Sequence, residues 1–155
     1  MPKPAKHYRY KLEHGPTPEV KDVGTDLPAS FGQGRMLIAS PLWVEDYVKT
    51  IPEGEVRTMD QLRSHLAARA DADFACPLTS GIFARVVAEA SAYEQANGLP
   101  VSAPWWRLVK SDGSLNPKFP HGDLGQTELQ AQLLEAEGVR LVATGRSKKL
   151  KVALG

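Results

Sequence analysis

The side chains that could carry out covalent or metal chemistry in this chain are few and scattered. The single thiol is Cys76, and the four histidines, at positions 7, 14, 65 and 121, show no metal-ligand spacing with it or with acidic residues. Cys76 lies between Ala75 and Pro77, with no basic neighbour in sequence to favour the reactive thiolate. We therefore favour a structural role for the Cys76 thiol over a nucleophilic one. Because Cys76 lies shortly before a predicted helix, the nucleophilic role remains an alternative. We expect no metal and no cofactor.

The adjacent Trp105 and Trp106 are the other notable pair, and Arg107 follows them. The segment after Pro104 is predicted to be extended, so neighbouring side chains point to opposite faces and one indole can lie in the core while the other faces a cleft or solvent. An exposed indole beside an arginine is a stacking surface for a nucleobase. Core packing is the commoner role of tryptophan in a small domain, so both roles stay open from the residues alone.

Three helices are predicted to precede this pair. The first starts at Ser40 and Pro41, and the second follows the capping box Thr58-Met59-Asp60-Gln61. The third runs from a cap at Thr79 or Ser80 to Asn97 and Gly98. On this third helix Arg85 is predicted to point away from the apolar stripe, on a face that it shares with Ala84, Ala88, Ala92 and Gln95. Such a face suits close approach to a partner, although alanine is also the best helix former.

The C-terminal third is predicted to contain a helix from about Gln126 to Glu137, followed by a hairpin. The apolar run 139–142 and the alternation of 149–154 form its strands, with lysines on one face. Two consecutive short helices followed by a small sheet or hairpin are typical of an α+β, winged-helix or helix-turn-helix-like DNA-binding domain, with residues 80–97 as its recognition helix.

Composition and charge place the chain among globular proteins. With 42% hydrophobic and 24% charged residues, we expect one domain over residues 36–155, preceded by an extended N-terminal arm over residues 1–35. Basic residues are concentrated at both ends, which suits contact with a polyanion or simple solvation. The sequence has no stretch long enough to span a membrane and no signal peptide, so we expect a cytoplasmic protein.

The segment from about residue 40 to residue 138 resembles the C-terminal DNA-binding domain of the O6-alkylguanine-DNA alkyltransferases, which are also called methylated-DNA–protein-cysteine methyltransferases. The resemblance rests on residues 56–109, on Ser111-Asp112-Gly113 and on residues 133–138. The family signature Pro-Cys-His-Arg-Val is replaced by residues 104–108, Pro-Trp-Trp-Arg-Leu. Trp105 then stands at the acceptor cysteine and Trp106 at the activating histidine. Glu137 matches the glutamate that orients this histidine and, by this resemblance, has lost its partner.

The resemblance implies a member of the alkyltransferase-like branch, which lacks the acceptor cysteine and is not an enzyme. Such a protein would bind double-stranded DNA with alkylated guanine through the minor groove, flip the damaged nucleotide and mark it for other repair factors, including nucleotide excision repair proteins. Arg85 matches the intercalating arginine. The other candidate DNA contacts are Thr58, Met59, Ala84 and Ala88, and the candidate lesion-pocket residues are Trp105, Trp106, Arg107, Asn97, Ser114 and Glu137.

Two alternatives remain beside this non-enzymatic, monomeric damage sensor. One is an active alkyltransferase that uses Cys76 as its acceptor. The other is a winged-helix regulator or protein-interaction module without lesion specificity, in which both tryptophans belong to the core.

Overall fold

The computed structural model describes residues 5–117, 119, 127–146 and 149–153. The helices are α1 (Ala5–Glu13), α2 (Pro41–Val48), α3 (Met59–Arg69), α4 (Pro77–Ala96), a 3₁₀-helix (Trp105–Arg107) and α5 (Thr127–Ala136). The strands are β1 (Glu19–Gly24), β2 (Gly34–Ile38), β3 (Arg57–Thr58), β4 (Phe74–Ala75), β5 (Leu108–Val109), β6 (Leu141–Thr144) and β7 (Lys149–Val152).

The strands form three small sheets. In the first, β2 pairs antiparallel with β1 and parallel with β4, while β3 and β5 form a short parallel pair. The third sheet is the antiparallel hairpin β6–β7, with Leu141 opposite Val152. The predicted α+β class is therefore confirmed, and so are the consecutive helices α3 and α4 and the C-terminal hairpin.

The helix starts follow local capping chemistry. The Ser40 hydroxyl accepts a hydrogen bond from the Trp43 amide at 3.2 Å, and Thr58 and Gln61 form the predicted reciprocal capping box at the start of α3. The predicted cap of α4 at Thr79 or Ser80 is wrong. Proline is favoured at the first helical position because its missing N–H leaves nothing unsatisfied, so Pro77 starts the helix and Cys76 is its N-cap.

The N-terminal segment differs from the expected extended arm. Residues 5–13 form α1, which contacts α2 and α4, and residues 19–24 form an edge strand. The reason is an inner face on α1: Leu12 is fully buried, and the Tyr8 ring lies 5.1 Å from that of Tyr93. Arg9 fixes the helix further, since its guanidinium donates to the Glu45 carboxylate at 2.6 Å. The proposed domain division near residue 35 stays a prediction.

Helix α4 is the centre of the molecule. It contacts α1, α2, α3 and the 3₁₀-helix, so most of its circumference is covered. Ala84, Ala88 and Ala92 are buried in the main core, and the predicted outward alanine face is therefore wrong. Small side chains on α4 instead allow neighbouring elements to approach it closely. What stays accessible on its N-terminal half is a strip that contains Leu78 and Ile82, 62% and 42% exposed, and half-buried Arg85. We call these three residues the α4 strip.

The apolar residues form two clusters. The larger one joins α1, α2, α3, α4 and the 3₁₀-helix, and the smaller one lies among β5, α5 and the hairpin. Trp106 packs against both clusters. The segment with the two tryptophans is therefore the connection between the two halves of the core.

Candidate functional site

The tryptophan pair lies on one turn of 3₁₀-helix, so the prediction of an extended segment is wrong for residues 105–107. The turn is closed by the Arg107 amide, which donates to the Pro104 carbonyl at 3.1 Å. The two indoles meet edge to face, with ring centroids 6.1 Å apart and an interplanar angle of 89°. Trp105 is 1% exposed and Trp106 is partly exposed. Trp105 is thus part of the core and Trp106 reaches the surface, as one of the two predicted arrangements had it. The backbone that produces this arrangement is a 3₁₀-helix and not the predicted extended segment.

Glu137 has a full set of partners, which corrects the expectation that it lost its partner together with the histidine. The Trp106 Nε1–H donates to Glu137 Oε2 at 2.8 Å, and the Arg107 Nη2 donates to the same oxygen at 2.7 Å. The Gly54 amide donates to Glu137 Oε1 at 3.0 Å. Arg107 also donates from Nη1 to the Ile51 carbonyl at 2.8 Å. These contacts tie the 3₁₀-helix to the residue after α5 and to the turn after α2.

The electrostatics of this cluster favour an ionised Glu137. Burial raises the pKa of the carboxyl, but the hydrogen bonds from Arg107, Gly54 and Trp106 and the charge of Arg107 together outweigh it. The net result is a Glu137 pKa below its ordinary value. The carboxylate therefore serves as a fixed anionic acceptor at neutral pH.

Gln130 is a supporting residue that the sequence reasoning missed. Its side chain is fully buried, and its Nε2 donates to the carbonyls of Trp106 and Leu108 at 3.2 and 3.0 Å. The Gln130 side-chain amide, on α5, thereby holds the backbone on both sides of Arg107. The signal was available in the sequence, since Gln130 stands one helical turn before the inward Leu134 and is a polar residue on an apolar face.

Arg85 lies at a separate place, at the edge of a cleft between α4 and the segment after β5. Its Nε is 3.6 Å from Glu89 Oε1, is buried and has no hydrogen-bond partner. The cleft has a volume of about 320 Å³, and its described walls are mostly apolar, with basic and amide groups and, within that part of the chain, no acidic residue. It is lined by Pro77, Leu78, Gly81, Ile82, Arg85, Lys110, Asn116, Pro117 and Phe119. The combination suits an apolar planar group attached to an anion.

The remaining predicted site residues have structural contacts of their own. Met59 is 7% exposed and belongs to the core, and Thr58 is occupied in the α3 cap. The Asn97 side chain donates to the Tyr93 carbonyl at 2.9 Å at the end of α4. The buried Ser114 donates to Asp112 at 2.6 Å within its turn. Of the predicted pocket residues, the structure brings together Trp105, Trp106, Arg107 and Glu137.

Cys76 is enclosed at the start of α4. It is 5% exposed, and its amide donates to the Leu37 carbonyl at 2.9 Å. Of the histidines, His14 stacks on Tyr10 and His65 packs against Tyr47, with ring centroids 4.7 Å apart in the second pair. The described histidine contacts thus give Cys76 no activating base.

The described part of the chain contains neither a metal cluster nor a membrane-spanning helix. Within it, no group of three or more histidine, cysteine or acidic residues is placed to hold a metal ion. None of the helices described above is long and apolar enough to cross a membrane.

Comparison with known proteins finds one family and similar solved structures. Two of these structures are S. pombe Atl1 in complex with damaged DNA containing O6-carboxymethylguanine and S. pombe ATL in complex with DNA. Each is 22% identical over 74% of this chain and 88% of its own, with TM-scores of 0.49 and 0.48. No curated relative matches significantly. The family model described as 6-O-methylguanine DNA methyltransferase, DNA binding domain, matches residues 42–139. Since this is more than half of the chain, the protein belongs to that family.

Proposed function

We propose that the protein binds DNA containing O6-alkylated guanine and leaves the alkyl group in place. The observation that carries the proposal is the tryptophan at position 105, where the family signature has its acceptor cysteine, together with the hydrogen bond from Trp106 to Glu137. This bond preserves the contact of the histidine that the signature has at that position. The chain keeps the framework of the family site and lacks its chemistry.

The chemistry is lost for two reasons. An indole cannot form a thiolate, so Trp105 offers no nucleophile for the alkyl carbon. The indole of Trp106 donates to Glu137 as a histidine would, but it has no basic nitrogen that could take up a proton. The alkyl group therefore has no acceptor at this position.

Binding is assigned to the α4 strip and the cleft beside it. Arg85 enters the duplex and fills the gap left by an extruded nucleotide. The adjacent cleft of about 320 Å³ receives the base, in place of the pocket expected at Trp105, because that residue is only 1% exposed. Lys110, in the wall of the cleft, offsets the charge of the phosphate. Extrusion costs a few kcal/mol of stacking and is least costly for an alkylated, poorly paired base, which is the source of lesion preference.

In the cell, the protein–DNA complex would mark the lesion and would not repair it. Because the lesion persists in the bound complex, another pathway must remove it, and we propose nucleotide excision repair proteins as the partners that read the complex. A cytoplasmic monomer is sufficient for this role, since the proposed contacts all lie on one chain.

The decisive experiment compares the affinity for a short duplex with one O6-methylguanine against the same duplex with guanine, at fixed salt because phosphate contacts make affinity salt-dependent. We expect tighter binding of the lesion, with the methyl group recovered on the DNA afterwards. Arg85→Ala should remove most of the preference, whereas Arg69→Ala on α3 serves as a charge-matched control. Equal affinity for both duplexes would refute lesion recognition. Methyl transfer abolished by Cys76→Ser would instead establish Cys76 as the acceptor.

A further inference from the structure

Tyr10, on the outer face of α1, and His14, which directly follows the helix, form an aromatic pair that the fold does not use. The Tyr10 and His14 rings are stacked, with centroids 4.1 Å apart and an interplanar angle of 12°. Tyr10 is 59% exposed and His14 is exposed as well. The inner face of the helix is supplied by Tyr8 and Leu12, so Tyr10 is not needed to hold α1 on α4.

The orientation of this pair is fixed by a hydrogen bond. His14 Nδ1 lies 3.1 Å from the Tyr10 carbonyl oxygen. A carbonyl can only accept, so Nδ1 carries the proton and the imidazole is held in one orientation. Two exposed rings are therefore held parallel before any partner arrives. Such a preorganised platform loses little conformational entropy on binding.

A cleft of about 420 Å³ adjoins this platform. Its walls include Tyr10, Lys11 and His14 from the N-terminal segment and Ile82, Phe83 and Val86 from α4. Among the described residues, no acidic side chain lines it. The nearby Glu13 is paired with Arg9 at 3.2 Å. Apolar walls, two aromatic rings and a lysine match the chemistry of a nucleobase and its phosphate.

The position of the cleft connects it to the proposed DNA-binding surface. Ile82 lines both this cleft and the cleft beside Arg85, so the two share a wall on α4. The proposed contact at Arg85 and the Tyr10–His14 pair therefore belong to two clefts that meet at Ile82. Stacking needs an open face of a base, which a continuous duplex does not offer but a flipped or unpaired nucleotide does.

We propose that Tyr10, Lys11 and His14 form a second DNA contact, which stacks on an unpaired nucleobase while Lys11 neutralises its phosphate. The inference rests on the DNA binding proposed above and does not require lesion preference. It makes α1 part of the recognition surface, so that the protein holds two nucleotides of an opened duplex, one on each side of Ile82.

The test measures fluorescence anisotropy with three labelled probes: a thymine single strand of about 15 nucleotides, the O6-methylguanine duplex and the guanine duplex. Tyr10→Ala should weaken binding of the single strand about 5- to 50-fold, whereas Tyr10→Phe should bind within about twofold of the wild type. Lys11→Gln should reduce the slope of log affinity against log salt by about 0.7 on the single strand. Lys21→Gln, an exposed lysine on β1, and Leu99→Ala, an exposed apolar residue after α4, are the controls.

The outcomes separate this inference from the proposed function. If Tyr10→Ala binds the single strand as well as the wild type does, the second DNA contact is refuted, even if the lesion duplex is still preferred. A protein partner would then be the better occupant of the cleft. The second contact is also refuted if the wild-type protein does not bind the single strand. If the wild type shows no lesion preference but Tyr10→Ala still loses single-strand affinity, the second contact stands and lesion recognition falls. Unchanged thermal melting of the variants ensures that folding does not explain a loss.

Discussion

The Trp106 indole nitrogen donates a hydrogen bond of 2.8 Å to Glu137 Oε2. A histidine and a tryptophan both present a ring N–H, and a carboxylate accepts from either. The replacement therefore keeps the attachment of the 3₁₀-helix to the end of α5 and removes only the basic ring nitrogen. At position 106, structural support of the 3₁₀-helix is separable from proton transfer, and this chain has retained only the structural support.

The Glu137 cluster should be a major contribution to stability. Glu137→Ala leaves the Arg107 guanidinium, 15% exposed, without its carboxylate and removes the acceptor of the Gly54 amide and of the Trp106 indole N–H. We expect a loss of about 3 kcal/mol in the free energy of unfolding, as for broken pairs with little exposure. Urea denaturation measures it, with exposed Glu135→Ala as the control. A loss below about 1 kcal/mol would contradict the assigned role.

Acid should destabilise the protein in part through Glu137. Because its pKa in the folded state lies below the ordinary value, the stabilisation is complete above the unfolded pKa and is lost as the pH falls through the folded pKa. The difference in unfolding free energy between wild type and Glu137→Gln should therefore shrink as the pH falls below the ordinary glutamate pKa of 4.5. Urea midpoints at several pH values give this difference. A constant or growing difference would be inconsistent with the lowered pKa.

Trp105 and Trp106, two of the three tryptophans of the chain, should differ in fluorescence, with Trp43 as a constant contribution in every variant. Trp105 is 1% exposed, whereas Trp106 is partly exposed, so acrylamide should quench Trp106 more readily. Trp105→Phe should remove the most protected, blue-shifted emission. It should lower the free energy of unfolding by only about 1–2 kcal/mol, because the indole N–H that it removes makes no hydrogen bond and only packing is lost. Trp106→Phe is the matched variant and should leave that emission in place. Equal quenching of both variants would show that Trp105 is accessible.

Glu89 should restrain Arg85 in the free protein. Its carboxylate lies 3.6 Å from the Arg85 Nε and carries a negative charge close to the proposed DNA contact. Glu89→Gln keeps the shape and removes that charge, so the affinity for both duplexes should rise about two- to fivefold at low salt. Exposed Glu55→Gln is the control. Unchanged affinity would mean that the strip does not face phosphate.

Local chemistry made part of this architecture predictable from the sequence. The capping box at Thr58, the Ser40 cap and the C-terminal hairpin each depend on residues close together in the chain. The resemblance to the alkyltransferases also predicted the family, because the positions that carry it form continuous segments. The α+β class followed from the order of these elements.

What could not be predicted depends on contacts between distant segments. The alanines of α4 look like an open face until α1 is placed against the same helix, and prolines around α1 obscured its helical pattern. The bond between Trp106 and Glu137 spans 31 positions and joins residue types that are not a familiar pair. Sequence reasoning recognised Glu137 and Trp106 as site residues but treated the loss of histidine as the loss of the contact.

The burial of α4 has an evolutionary consequence. The same helix is the central element of the core and the proposed reader of DNA, so most of its positions are constrained by packing on every side. Binding preference can diversify without loss of folding chiefly at Leu78 and Ile82, beside the intercalating Arg85. Relatives that recognise different lesions should therefore vary at these two positions and in the segments beside them, while Arg85 is kept and the buried positions of the helix change only among residues of similar size.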